Sequence, residues 1–298
     1  MCRPPLALAA LPVLAACLTL SPVVAIAGEG TEAVLAPVST WEASIDGSLC
    51  RMERRFGSEA QPHLMIVEQN GPGAAVGLAL AGPSLQGLVP DKGVALSFAK
   101  DQPGIEGPAS IEPNRQFGAV AILRGVRLFS APAGGEAGGP PKERARIDLA
   151  AAERVEQVSL SQGPTKVTFA TGPLGDAAQV LNQCTAQVLR TWGLDPEVQY
   201  GVQPPPLAKD QAGLVKEVHK AYPRSAARAL RQGVLDVVLV TDAAGVATNC
   251  KLMVTTSYAD LDASMCQTLM KQRFEPARGA DGQPVASFWR TRITLRVG

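Results

Sequence analysis

The fold of the C-terminal part of the chain is decided by one stretch, Val234-Leu-Asp-Val-Val-Leu-Val-Thr241, Asp242-Ala-Ala-Gly245, Val246-Ala-Thr-Asn-Cys-Lys-Leu-Met-Val-Thr-Thr256. Its first and third segments are apolar runs in which every second residue falls on one face, such as Leu235, Val237 and Leu239 in the first, and this is the period of a β-strand. The middle segment breaks the run, and Gly245 can supply the positive φ that a short hairpin loop requires. The stretch therefore predicts an antiparallel hairpin.

The flanking sequence extends this hairpin into a small module. Before it, Tyr222-Pro223 opens an Ala- and Arg-rich segment that stops at Gly233, as expected for a short helix. After it come a helical stretch at 259–273, the tetrapeptide Phe274-Glu275-Pro276-Ala277 and a last alternating run at 286–297. These segments predict a three-stranded antiparallel sheet with two helices on its apolar face.

The last strand is predicted to have one apolar and one charged face. The apolar face carries Trp289, Thr291, Ile293, Leu295 and Val297, and the other carries Arg290, Arg292, Thr294 and Arg296. We expect the apolar face to pack on the helices and the charged face to meet solvent.

The module resembles the C-terminal domain of the TonB energy-transducer family over about 222–298. The resemblance rests on marks that occur in order: Tyr222-Pro223, Gly233, the turn at 242–245, Leu261-Asp262, the tetrapeptide at 274–277 and Gly282-x-Pro284-Val285. No single mark is specific, but six in this order over this span are. The resemblance covers about a quarter of the chain.

The resemblance implies a periplasmic domain that binds protein and is not an enzyme. Such domains pair an edge strand with a short extended segment of an outer-membrane receptor, in the service of transmembrane transport. Carried onto this chain, the partner-binding edge is the last strand. Its residues are Phe288, Arg290, Arg292, Thr294 and Arg296. The arginines are equally consistent with protection of an exposed edge against aggregation.

The first 27 residues are predicted to be a signal peptide. Arg3 precedes an apolar run, and Ala25-Ile26-Ala27 fits a cleavage site. Two alternatives stay open. The segment Leu14-Ala-Ala-Cys17 matches a bacterial lipobox, which would make a lipoprotein anchored at Cys17. The apolar residues 5–27 are also long enough for an inner-membrane anchor. The expected location is periplasmic.

Four cysteines remain after this signal, and an even number in an exported protein favours disulfide bonds. Cys250 lies on the strand face that the second helix should cover, and Cys266 lies on the inner face of that helix. We therefore predict a local Cys250–Cys266 pair. Cys50 and Cys184 would then join a strand to a helix in the upstream region.

The chain as a whole is predicted to be α+β, with residues 28–195 forming a strand-rich secreted domain that one helix closes. A hairpin at 41–56 and an amphipathic helix at 175–192 are its clearest elements. A linker is expected at 196–212 and the TonB-like module at 213–298. We recognise no family in the upstream domain.

Composition and motifs argue against several classes of function. A formal net charge of +1 gives no strong attraction to nucleic acid or to anionic lipid. The only histidines are His63 and His219, so a zinc site or a Ser–His or Cys–His pair has little support. No catalytic, cofactor-binding or metal-binding residues are predicted.

The leading hypothesis is a non-enzymatic periplasmic protein whose module binds a protein partner by edge-strand addition, in connection with an outer-membrane receptor. The alternative is a true TonB energy transducer that keeps residues 1–27 as its inner-membrane anchor. A third hypothesis is an enzyme within 28–196, although no spacing of residues typical of a catalytic site supports it. Pairing of exposed strand edges between two copies, giving a homodimer, is also open.

Overall fold

The computed structural model describes residues 32–129, 144–202 and 208–296. The predicted signal peptide, the lipobox at Cys17 and the last residue of the apolar face, Val297, lie outside these ranges. Within them, none of the helices combines the length and the apolar character needed to cross a membrane.

The upstream region, residues 32–202, consists mainly of strands. In chain order they are β1 (Glu32–Leu35), β2 (Glu42–Asp46), β3 (Leu49–Gly57), β4 (Pro62–Gln69), β5 (Val76–Ala81), β6 (Val94–Ser97), β7 (Ile105–Gly107), β8 (Ser110–Asn114), β9 (Gly118–Val126), β10 (Val158–Gln162) and β11 (Thr165–Phe169). Helices α1 (Leu149–Glu153), α2 (Gly175–Thr191) and α3 (Pro196–Tyr200) accompany them.

These strands form two sheets that share one core. The first has the order β2-β3-β4-β5-β9-β8, and the second has the order β1-β11-β10-β6-β7. Neighbouring strands are antiparallel, except that β1 runs parallel to β11. Side chains from both sheets and from α2 belong to one apolar cluster, which includes Phe56, Leu80, Leu160, Phe169 and Leu181. The prediction of a strand-rich region with a closing helix at 175–192 agrees with this arrangement.

The predicted cysteine pair of the upstream region lies at disulfide distance. Cys50 on β3 and Cys184 on α2 have Cα atoms 6.0 Å apart and enclose a sequence separation of 134 residues. In the chain-entropy model, closing a loop of this length stabilises the folded state by about 5 kcal/mol. The bond therefore fixes α2 on the first sheet.

The C-terminal module contains the remaining elements. They are α4 (Gln211–Lys220), α5 (Arg224–Arg228), β12 (Gly233–Thr241), β13 (Ala247–Val254), α6 (Ala259–Leu269), β14 (Ala277–Arg278), β15 (Pro284–Val285) and β16 (Ser287–Leu295). Its main sheet has the order β13-β12-β16, with both pairings antiparallel. The predicted three-stranded antiparallel sheet is confirmed, and β16 is one of its edges.

One face of this sheet packs on the helices, as the sequence predicts. Leu235, Val237 and Leu239 of β12 are fully buried against a cluster that contains Leu261 and Met265 of α6. The second cysteine pair also lies at disulfide distance, with the Cα atoms of Cys250 and Cys266 5.8 Å apart. Helix α4 is an element that the sequence analysis did not predict.

The opposite face of the sheet is partly covered by the upstream region. Val238, Val240 and Phe288 belong to the upstream apolar cluster, and the Phe288 ring contacts Trp192 edge-on with centroids 5.3 Å apart. The expectation that the charged face of the last strand meets solvent is therefore wrong for Arg290, which is half-buried. The sequence analysis gave that face no neighbour, because it treated the two regions as separate.

The segment predicted as a linker, 196–212, contains helix α3, in which Gln199 is buried. Its residues 203–207 lie outside the described ranges. Asp195 caps α3 by accepting a hydrogen bond from the N–H of Glu197, at 2.9 Å. The boundaries of the two domains stay a prediction.

Candidate partner-binding edge

The direction of the backbone groups on β16 follows from its pairing and its contacts. In an antiparallel strand, alternate residues point their N–H and C=O groups towards and away from the paired strand. The carbonyl oxygens of Ala286 and Phe288 accept hydrogen bonds from upstream side chains instead of from β12. Even-numbered residues of β16 therefore point their backbone outward, and odd-numbered residues bond to β12.

The second half of β16 consequently has an open outer edge. The outward backbone groups there belong to Arg290, Arg292 and Thr294. Among residues 32–129, 144–202 and 208–296, no backbone group pairs with them on that side. These three residues were all in the predicted partner-binding set.

A groove of about 260 Å³ lies between this open edge and helix α4. Its apolar lining comes from Leu214, Val215, Val218, Tyr222, Leu269, Trp289, Ile293 and Leu295, and its polar lining comes from His219, Thr291, Arg292, Thr294 and Arg296. Helix α4 starts at a cap in which Asp210 accepts from the N–H of Gly213, and Leu214 anchors it in the module core. The unpaired main-chain groups of β16 therefore lie beside a groove that is lined mainly by apolar side chains.

The arginines of β16 have different surroundings. Arg290 donates to both carboxylate oxygens of Asp236, at 2.9 and 2.6 Å, and to the carbonyl oxygen of Asn70, at 2.6 Å. Asp236 is only 4% exposed, so its charge requires such a partner. Arg292 approaches the same carboxylate at 3.5 Å, and its side chain is half exposed. Thr294 and Arg296 are exposed.

The first half of β16 meets a buried cation. Arg144 is 4% exposed and donates to Gln199 Oε1 at 2.7 Å, to Ser287 Oγ at 2.6 Å and to the carbonyl oxygen of Phe288 at 2.5 Å. Its guanidinium carbon lies 3.7 Å from the centroid of the Phe288 ring. Burial lowers the pKa of Arg144 to about 9, which leaves it a cation at neutral pH.

Sequence reasoning missed Arg144 and Gln199. Arg144 precedes α1 in a segment without periodic pattern, and Gln199 lies in the predicted linker, so nothing local marked either residue. Helix α4 did leave a signal, because Asp210 is a good N-cap residue and Leu214 and Val218 have helical spacing.

His63 is the buried histidine of the upstream region, and its contacts indicate a structural role. Its Nδ1 bonds to the carbonyl oxygen of Gln61 at 3.0 Å, and its Nε2 accepts from the N–H of Ser84 at 3.3 Å. A Cβ atom at Gly82 would collide with the ring, so a glycine is required there. Burial lowers the pKa of His63. In the described parts of the chain, no three His, Cys, Asp or Glu residues are grouped so that they could hold a metal ion.

Comparison with known families agrees with the geometry of the module. Residues 218–294 match the family described as Gram-negative bacterial TonB protein C-terminal, which confirms the resemblance. A search of curated proteins finds no match to this chain. The match suggests a TonB-like role of the module in outer-membrane transport, and the family itself is a non-enzymatic binding domain. It covers about a quarter of the chain and does not extend to the upstream region.

Proposed function

We propose that this chain is a periplasmic, non-enzymatic binding protein whose TonB-like module takes up an extended segment of a protein partner as an additional strand beside β16. The observation that carries the proposal is the open outer edge at Arg290, Arg292 and Thr294, next to the groove under α4. The partner is a segment of an outer-membrane receptor, in keeping with the family that the module matches.

Strand addition requires two features, and the second half of β16 supports both. Free main-chain N–H and C=O groups provide affinity, and pockets for alternate side chains provide selectivity. The outward groups of β16 meet the first requirement. The groove meets the second, because side chains that alternate along an added strand would enter it on one side. The basic side chains of Arg292 and Arg296 at its rim favour a segment that carries an acidic residue.

A proline at an outward position provides the sharpest test of this edge. Arg292→Pro removes an N–H that β12 does not use, and its ring obstructs an incoming strand, whereas Arg292→Thr removes only the charge. We expect wild-type and Arg292→Thr protein to retain outer-membrane proteins from detergent extracts. Arg292→Pro should lose them while its unfolding free energy changes by no more than about 1 kcal/mol.

The matched control for this experiment is Thr291→Pro, at the neighbouring inward position. That substitution removes a bond to β12 and should destabilise the fold by about 3 kcal/mol. Equal retention of outer-membrane proteins by wild-type, Arg292→Thr and Arg292→Pro protein would overturn edge addition. In that case the arginines of β16 serve as protection against aggregation.

The mass of the native, non-reduced protein from fractionated cells tests the location. We expect a soluble species that begins at Gly28 and is four hydrogens lighter than the reduced chain. A full-length species in the inner membrane would instead support the energy transducer. A lipid-modified Cys17 would replace the soluble protein with a tethered lipoprotein and leave the binding proposal intact.

A further inference from the structure

Two side chains of the upstream region occupy the outer edge of β16 where that strand begins. Gln199 Nε2 donates to the carbonyl oxygen of Ala286 at 2.8 Å, and Arg144 Nη2 donates to the carbonyl oxygen of Phe288 at 2.5 Å. These are the outward carbonyl groups that an added strand would need there. Neither side chain belongs to the segment that matches the TonB family.

The contacts form a closed and buried network. Ser287 Oγ donates to Gln199 Oε1 at 2.9 Å, and Arg144 donates to the same two oxygen atoms. Gln199 is 1% exposed and Ser287 is fully buried. A buried network whose members all have partners holds its geometry firmly, since opening it would leave polar groups unsatisfied. The stacking of Arg144 on the Phe288 ring adds to this hold.

We infer that Arg144 and Gln199 form an edge clamp that closes the first half of β16, so that a partner strand can pair only beside residues 290–295. The inference rests on the proposed function, because it assumes that β16 is the docking edge. An added strand pairs with β16 one residue to one, so the open part at 290–295 takes a segment of about six residues. The upstream region thereby sets the length and the register of the segment that the module accepts.

The clamp explains why Arg144 contacts the start of β16, a contact that packing between the two regions does not by itself require. Val238, Val240 and Phe288 already join the module to the upstream core through apolar burial. The partners of Arg144 among the described residues are all neutral, so placing a cation there adds a desolvation cost to the interface. Its Nη2 contact blocks a backbone acceptor that an added strand would otherwise use.

The test uses synthetic peptides in which valine and threonine alternate around one glutamate, with lengths of about four, six and ten residues. Backbone amide chemical shifts of the full chain are followed by NMR as each peptide is added. In wild-type protein we expect the amides of Arg290, Arg292 and Thr294 to shift, and that of Phe288 to stay unchanged. Affinity should stop rising beyond about six residues.

Arg144→Met removes the clamp donor that occupies the Phe288 carbonyl, leaves the Gln199 donor to Ala286 in place and keeps an unbranched apolar side chain. We expect the Phe288 amide to join the shifted set and the affinity of the longest peptide to rise about three- to tenfold, the equivalent of about one more hydrogen bond. The matched control is Arg146→Met. This neighbouring arginine is half exposed, pairs with Glu197 and does not contact β16, so the variant should bind as the wild type does.

The wild-type measurement decides the inference even where Arg144→Met does not fold. A Phe288 shift in wild-type protein as large as that of Arg292 would overturn the clamp and leave edge addition standing. Peptides that leave Arg290, Arg292 and Thr294 unchanged at every length would overturn edge addition itself, and the clamp with it. Identical length dependence in wild-type and well-folded Arg144→Met protein would also overturn the clamp.

Discussion

The two halves of β16 belong to one strand and pair with the same neighbour, yet their surroundings differ. Ser287 and Phe288 in the first half are buried, and the upstream region bonds to their outer edge. Arg292 and Thr294 in the second half are exposed, and their outer edge faces a groove. Whether an edge strand can pair with a partner therefore depends on the region that covers it. The alternation of residues within the strand does not show whether such a covering region exists.

The largest expected difference between the halves is in apolar burial. Phe288→Ala removes a ring that packs on Trp192 in the upstream core, and we expect a loss of about 3–5 kcal/mol in unfolding free energy. Ile293→Ala truncates a half-buried side chain in the second half of β16 and should cost less than about 2 kcal/mol. Urea unfolding of the two variants measures both values. Equal losses would mean that the upstream region does not hold the first half.

A smaller difference is expected between two arginines on the same face. Arg290→Met leaves the buried carboxylate of Asp236 with only the longer contact to Arg292, which should cost about 2 kcal/mol. Arg292→Met should cost less than about 1 kcal/mol, since its side chain is half exposed. The same urea titrations apply. A larger loss for Arg292→Met than for Arg290→Met would contradict the assignment of Arg290 as the main partner of Asp236.

Acid is expected to be the mildest perturbation, because the buried histidine, His63, lies in the upstream region and not on β16. The pKa of His63 is lowered from its ordinary value of 6.5 in the folded state, so the unfolded chain binds the extra proton first. Its contribution to stability is complete above about pH 6.5 and is lost as the pH falls through the folded pKa. Unfolding free energies measured from pH 8 to about 5 should show this decline.

Two histidine variants separate this contribution from general acid effects. His63→Gln should flatten the decline, whatever its effect on stability at neutral pH. His219→Gln changes the exposed histidine of α4 and serves as the control, with a decline like that of the wild type. An unchanged slope in His63→Gln protein would show that other groups cause the acid sensitivity.

Much of the module could be predicted because its sequence signals are local. Strand alternation placed Leu235, Val237 and Leu239 on one face, and the structure buries all three. The same face argument paired Cys250 with Cys266, which lie at disulfide distance. The candidate site could be predicted as a strand, but its open half could not, because that depends on atoms far away in the chain.

One signal for the covered face was present and was not used. Val238 and Val240 are apolar residues on the face of β12 opposite the helices, so β12 reads as a strand buried on both faces. That pattern requires a second layer, and the upstream region supplies it. Arg144 had no comparable signal, because a single charged residue in an irregular segment is usually solvated.

The sequence by itself determined the strands of the module, its hairpin and its cysteine pairing, because each follows from the period of side chains along a short segment, and the resemblance to the TonB family pointed to the last strand as the edge. Only the tertiary structure decided that α3 and Arg144 reach the start of β16 and that Phe288 joins the upstream core. Contacts between residues 144 and 288 span more than a hundred positions of chain. Burial and hydrogen bonding between such distant segments depend on how whole layers of the structure pack. The periodicity of residues within one short segment carries no information about that packing.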